Sequence, residues 1–151
     1  MNLDISVEAK DWTTLAGLRK LARQVVRAAF DDADVSLSIL FTGDAEIAEL
    51  NKRWRGKTGP TNVLSFPVSQ ELPVPKGEPR PLGDIVLAFG TIAREAAEQE
   101  KAIASHVAHL IVHGLLHLLG YDHEDDAEAG IMEAREIEIL ARLGIADPYK
   151  S

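Results

Sequence analysis

The chain has 151 residues, 46% hydrophobic and 26% charged, with a formal net charge of −8 and no cysteine. This length suits one domain that buries roughly 70% of its unfolded surface, and the composition is that of a soluble globular protein. Disulfides and thiolate metal sites are excluded, so any metal site must be built from His, Asp or Glu.

The start, MNLDISVEAK, carries acids and lacks the apolar core of a signal peptide. Residues 3–9 alternate as a strand does. A first helix is expected over about 13–30, with Leu15, Leu18, Ala22, Val25, Val26 and Ala29 at helical spacing. Residues 35–41, VSLSILF, alternate strictly at first and predict a second strand. Asp44 is a candidate N-cap for a short helix that carries Ile47 and Leu50 and stops near Gly56. Thr61–Phe66 reads as a third strand. Residues 67–81 hold five of the seven prolines and form a loop, either a mobile binding loop or simple surface decoration.

Residues 83–89, GDIVLAF, predict a fourth, largely buried strand. A helical stretch runs from Thr91 to Leu119, weakened near Lys101–Ala104 and stopped by Gly120. Asp125 or Asp126 then caps a last helix with Met132, Ile139, Leu140 and Leu143 inward. The longest apolar run, about residues 107–121, is broken by histidines and too short to cross a bilayer. The reading is a single domain over residues 1–151, cytoplasmic and without a membrane partner. Its fold class is α/β (α+β), with one small mixed sheet of about four strands covered by helices.

Three of the five histidines lie in HGLLHLLGYDH, residues 113–123. In a helix, positions four apart share a face, so His113 and His117 can point at one ion. Gly120 lets the chain reverse and brings His123 back toward the same point. Three imidazoles leave a fourth tetrahedral position open, the pattern of catalytic zinc. His109, one turn earlier, is open among three readings: a fourth ligand, a proton relay or substrate contact, or a satisfied surface histidine. His106 reads as unremarkable. Asp122 could orient an imidazole, and Tyr121 reads as packing.

The spacing matches the H-E-x-x-H-x-x-G-x-x-H template of metalloproteases, except that Gly114 replaces the glutamate that serves as their base. Met132 fits an apolar helix face better than a methionine turn. A peptidase is therefore disfavoured, and a phosphodiester suits the remaining groups better. Lys52, Arg53, Arg55 and Lys57 crowd into six residues, and the planar fork of Arg55 suits a phosphate. Alone, such a run is more often a solvated helix end. Trp54 could stack on a base but reads more readily as a core anchor. The charge is uneven: Asp122–Glu138 holds eight acids and one base, so the remaining 16 acids and 15 bases nearly cancel.

HGLLHLLGYDH, with LNKRWRGKTGPTNVLSF (50–66), LGDIVL (82–87) and the pair Met132 and Glu136, resembles the bacterial YbeY family. The resemblance implies a metal-dependent, single-strand-specific endoribonuclease. Its implied role is ribosomal RNA maturation, notably at the 3′ end of the small-subunit (16S) RNA, and ribosome quality control. It implies a small mixed α/β fold with the zinc site on a central helix and its following turn. The ligands of one zinc ion per chain would be His113, His117 and His123, and the functional arginine would be Arg55. On this reading Arg55 and His113 are catalytic, and Arg53, Arg55, Lys57 and His109 bind substrate. The partners would be precursor single-stranded ribosomal RNA and the ribosome or small-subunit proteins. The general base is open between His109 and hydroxide on the metal. Acids of 122–138 are expected to face away from the RNA, Asp122 excepted. Two rivals remain: a ribosome assembly factor with a structural metal, and a metallohydrolase of a small molecule or peptide.

Overall fold

The alternating run at residues 35–41 forms the strand around which the other elements are arranged. The computed structural model describes residues 2–150, so Met1 and Ser151, the ends of the expected domain, lie outside the described residues. The strands are β1 (Asn2–Val7), β2 (Val35–Thr42), β3 (Val63–Pro67) and β4 (Arg80–Ala88). The helices are α1 (Leu18–Ala29), α2 (Asp44–Arg55), α3 (Phe89–Glu98), α4 (Ile103–Leu118) and α5 (Asp126–Arg142). The strands form one mixed sheet in the order β1-β2-β4-β3, with β1, β2 and β4 parallel and β3 antiparallel at an edge. The expected α/β architecture is therefore present.

Alternation sorts the two faces. Leu37, Ile39 and Phe41 of β2, with Ile85 and Leu87 of β4, enter the main core under α1, α4 and α5. Leu64, Val86 and Ala88 form a smaller core with Ile47 of α2 on the opposite face. Helix α4 is the central helix: it packs against α1, α3, α5, β3 and β4. Its Val107, Ala108, Ile111, Val112 and Leu115 are fully buried.

Several boundaries differ from the sequence expectation for identifiable reasons. The first helix begins at Leu18 rather than near residue 13, because Gly17 takes a positive φ of 75°. The segment before it is a short 3-10 turn, Lys10–Thr14, that buries Trp12 with its Nε1–H donating to the Thr42 carbonyl at 2.8 Å. Asp44 does not cap α2; Gly43 holds that position. The Asp44 carboxylate instead accepts the Thr91 N–H at 2.9 Å and pairs with Arg94 at 3.2 Å, securing the first turn of α3 across the layer. Strand β4 starts three residues early and includes Pro81. This proline is tolerated because β3 pairs only with Gly83–Leu87, and the β2 register slips between Ser36 and Leu37. Arg80 ties the proline-rich loop back through the Gln70 and Leu72 carbonyls at 3.0 and 3.1 Å. Trp54, expected in the core, is 64% exposed; Trp12 is the buried tryptophan.

Helix α4 reaches the sheet at Gly114. A Cβ at this position would lie 3.0 Å from Ser65 Oγ and 3.1 Å from Ile85 Cγ2, tighter than ordinary van der Waals contact. Ser65 Oγ–H donates to the Gly114 carbonyl at 3.1 Å, closing the same contact. The position that holds a glutamate in the protease template is thus filled by β3 and β4. Gly114→Glu should lower unfolding stability by about 3 kcal/mol through overpacking, read as a lower urea midpoint. An unchanged midpoint would show that this contact is loose.

Candidate metal centre and adjoining groove

His113 and His117 stand one turn apart on α4, and the helix ends just after them. The Gly120 N–H donates to the His117 carbonyl and the Tyr121 N–H to that of Leu116, at 3.1 and 3.0 Å, with Gly120 at φ 101°. This is the paired Schellman closure that needs a glycine in the left-handed region. The reversal carries His123 back over the helix end. One nitrogen from each of His113, His117 and His123 lies within 4.8 Å of the others, and His123 is the exposed member.

The outer ring nitrogens fix the tautomers. His117 Nδ1–H donates to the Tyr121 carbonyl and His113 Nδ1–H to Glu136 Oε1, both at 3.1 Å. Burial alone would raise the Glu136 pKa, but hydrogen bonds from His109, His113 and Tyr149 outweigh it and hold it at about 2. The carboxylate is therefore ionised and can only accept. Both Nε2 atoms are then bare, and they face each other at 3.1 Å. Two lone pairs at that distance repel unless a cation lies between them. Burial, and then the neighbouring His113 and His123, push the His117 pKa down, which disfavours a proton there. Two nitrogens on one tetrahedral zinc stand about 3.3 Å apart, close to the observed spacing. The donor set fits a divalent cation with three imidazole ligands.

A groove of about 760 Å³ opens beside the three histidines, between α2, the edge of β3 and the turn after α4. Arg55 and Lys57 line it. The Arg55 guanidinium donates to the Ser65 carbonyl and sits 5.5 Å from the Phe66 ring centre. Asn51, buried at the base of the groove, holds the following loop by donating to the Gly59 carbonyl at 2.9 Å. Asp122 and Glu124 also line the groove, so Asp122 is not the sole acid facing it. The Asp122 carboxylate accepts the His123 N–H at 2.7 Å and so steadies the turn rather than an imidazole.

The structure brings Arg55, Lys57, His113, His117 and His123 together around one groove. It does not bring Arg53 or His109 there. Arg53 is exposed on the last turn of α2. His109 turns inward, with Nε2–H donating to Glu136 Oε2 at 2.6 Å. Sequence reasoning missed the place of Glu136, which has no exposed surface, and of Tyr149, which donates to it at 2.8 Å. A signal for Glu136 existed: a glutamate stands four residues after Met132 in the inward stripe of α5. No signal marked Tyr149.

Residues 4–144 match the family described as endoribonuclease YbeY. A relative from Chelativorans sp. (strain BNC1), named endoribonuclease YbeY, is 50% identical over 97% of this chain and 92% of its own length. One of the same name from Nitrobacter hamburgensis is 48% identical, over 97% of this chain and 80% of the relative. The solution structure of a Thermotoga maritima protein superposes with a TM-score of 0.57 at 25% identity, covering 99% of this chain and 96% of the other. With these matches spanning the sheet, the three histidines and the groove alike, the chain belongs to the endoribonuclease YbeY family.

Proposed function

We propose that the chain is a zinc-dependent, single-strand-specific endoribonuclease acting on precursor ribosomal RNA, at the 3′ end of the small-subunit RNA and in ribosome quality control. The single observation that carries this reading is the three-imidazole set opening onto a groove that also holds Arg55. The family relatives named endoribonucleases support it. Work on ribosomal RNA places the protein in the cytoplasm beside ribosomal partners. Among the described residues no helix is long and apolar enough to cross a membrane.

When bound, zinc supplies Lewis acidity toward a phosphoryl oxygen and toward water. His113, His117 and His123 would hold it, and the anchored Nδ1 atoms of His113 and His117 keep their Nε2 lone pairs aimed inward. Arg55 presents its remaining N–H donors to the equatorial oxygens of the scissile phosphate, where negative charge grows in the transition state. Its contacts to the Ser65 carbonyl and the Phe66 ring pre-orient it. Lys57 contributes charge along the strand. Arg53 and Trp54, exposed on the flank of α2, extend the basic surface, and the indole offers a face on which an unpaired base can stack.

Peptide hydrolysis meets two obstacles. A glutamate at Gly114 would overpack the helix against the sheet, and the β3 edge that a peptide strand would join is partly engaged. Backbone bonds from Ala88 to Asn62 and from Val68 to Leu82 bracket β3, so its odd-numbered peptide groups face outward. Of these, the Val63 N–H is taken by the Asn62 side chain, the Ser65 carbonyl by Arg55, and Pro67 has no N–H. A purely structural metal would call for a fourth protein ligand, and His109 is committed to Glu136.

Metal-replete protein should cleave a labelled single-stranded RNA, and His113→Ala purified in parallel should not. Cleavage by both would indicate a contaminating nuclease, and by neither a binding role. Arg55→Ala should keep its metal and lose on the order of 100-fold in kcat/KM; parental turnover would remove Arg55 from the mechanism. Trp54→Ala should weaken single-stranded RNA binding about tenfold and leave duplex binding unchanged, measured by anisotropy of labelled RNA.

A further inference from the structure

Behind the three histidines, on the side away from the groove, stands a second set of polar groups that the proposed chemistry does not use. Glu136 is the only fully buried acid among the described residues. Its two oxygens receive three donors: His113 Nδ1–H at 3.1 Å, His109 Nε2–H at 2.6 Å and Tyr149 O–H at 2.8 Å. The donors come from two turns of α4 and from the segment after α5. That segment is held in place by Lys101 Nζ, which donates to the Pro148 carbonyl at 2.8 Å. His109 Nδ1 is buried without a hydrogen-bond partner, so the polar contacts of this ring converge on Glu136 and Tyr149.

A fully buried carboxylate is costly unless its lone pairs are satisfied. Here each donor has a separate consequence. The bond to His113 fixes the tautomer and the ring rotation, so that Nε2 carries the lone pair and faces His117. The bonds from His109 and Tyr149 fix the carboxylate itself, so that Oε1 stays under His113. We infer that Glu136 is the positioning residue of the metal centre, acting through His113, and that His109 and Tyr149 hold its carboxylate in place. His109 is thereby assigned to the support of the centre rather than to the ligand set or the substrate. The inference rests on the metal-binding part of the proposed function, and not on the identity of the substrate.

The test measures metal affinity rather than turnover. Parental protein, Glu136→Gln and Tyr149→Phe are stripped, then titrated with zinc against a chromophoric chelator. Each is also loaded with cobalt for its visible absorption spectrum. Glu136→Gln should bind zinc on the order of 10- to 100-fold more weakly and shift the cobalt bands, and Tyr149→Phe should move both readouts the same way by less. A merely structural role predicts a lower Tm with parental zinc affinity and cobalt spectrum in both variants, and that result overturns the inference. If Glu136→Gln fails to fold, the half-exposed Tyr149 decides alone: parental affinity in Tyr149→Phe is the overturning result. Parental protein that binds neither metal overturns this inference together with the zinc centre. Parental protein that binds zinc tightly and cuts no RNA, beside a weakened Glu136→Gln, overturns the nuclease reading and supports this one.

Discussion

The approach of α4 to the sheet at Gly114 is the contact on which the rest of the site depends. With no side chain there, the helix settles against Ser65 and Ile85, and the Ser65 hydroxyl joins the two layers through the Gly114 carbonyl. With the helix packed this closely, His113 and His117 line the same groove as Val63, Leu64 and Ser65 of β3. The same strand carries the carbonyl that receives Arg55. One residue with no side chain therefore lets the histidines and the arginine share one groove. The substitution that removes the protease base is the one that builds the groove.

Much of this was legible from residue pattern. VSLSILF specified both faces of β2, and the apolar spacing of α4 and α5 specified which sides are buried. The histidine spacing specified which three imidazoles converge, because periodicity and a left-handed glycine leave the chain little choice of direction. What the pattern missed depends on contacts between elements distant in sequence. Asp44 carries the signature of a cap on its own helix, yet it serves α3, 47 residues away. Trp54 has the composition of a core residue, but helix geometry turns it outward when Ile47 and Asn51 occupy the inward face. His109 shares a face with His113, and only the position of α5 decides that it meets a carboxylate instead of joining the other three histidines.

The electrostatics reconcile an acidic chain with a polyanionic substrate by separation over short distances. Arg135 and Arg142 both pair with Glu138, so part of the acidic surface is neutralised within α5 itself. Glu136 is screened by burial and by its donors. Arg55 and Lys57 face the three histidines across the groove, while Asp122 and Glu124 stand at one rim. An RNA strand entering this groove meets positive charge along α2 and negative charge at the turn. That asymmetry draws the strand toward the α2 side of the groove and away from the turn.

The ring of donors around Glu136 draws on very different parts of the fold. Tyr149 lies some thirty residues beyond the helix bearing His113 and His117, in the segment after α5. That segment lies outside the helices and strands, and Lys101 tethers it through the Pro148 carbonyl. Loosening this short stretch would take one donor from the carboxylate and leave α4 and α5 packed against each other.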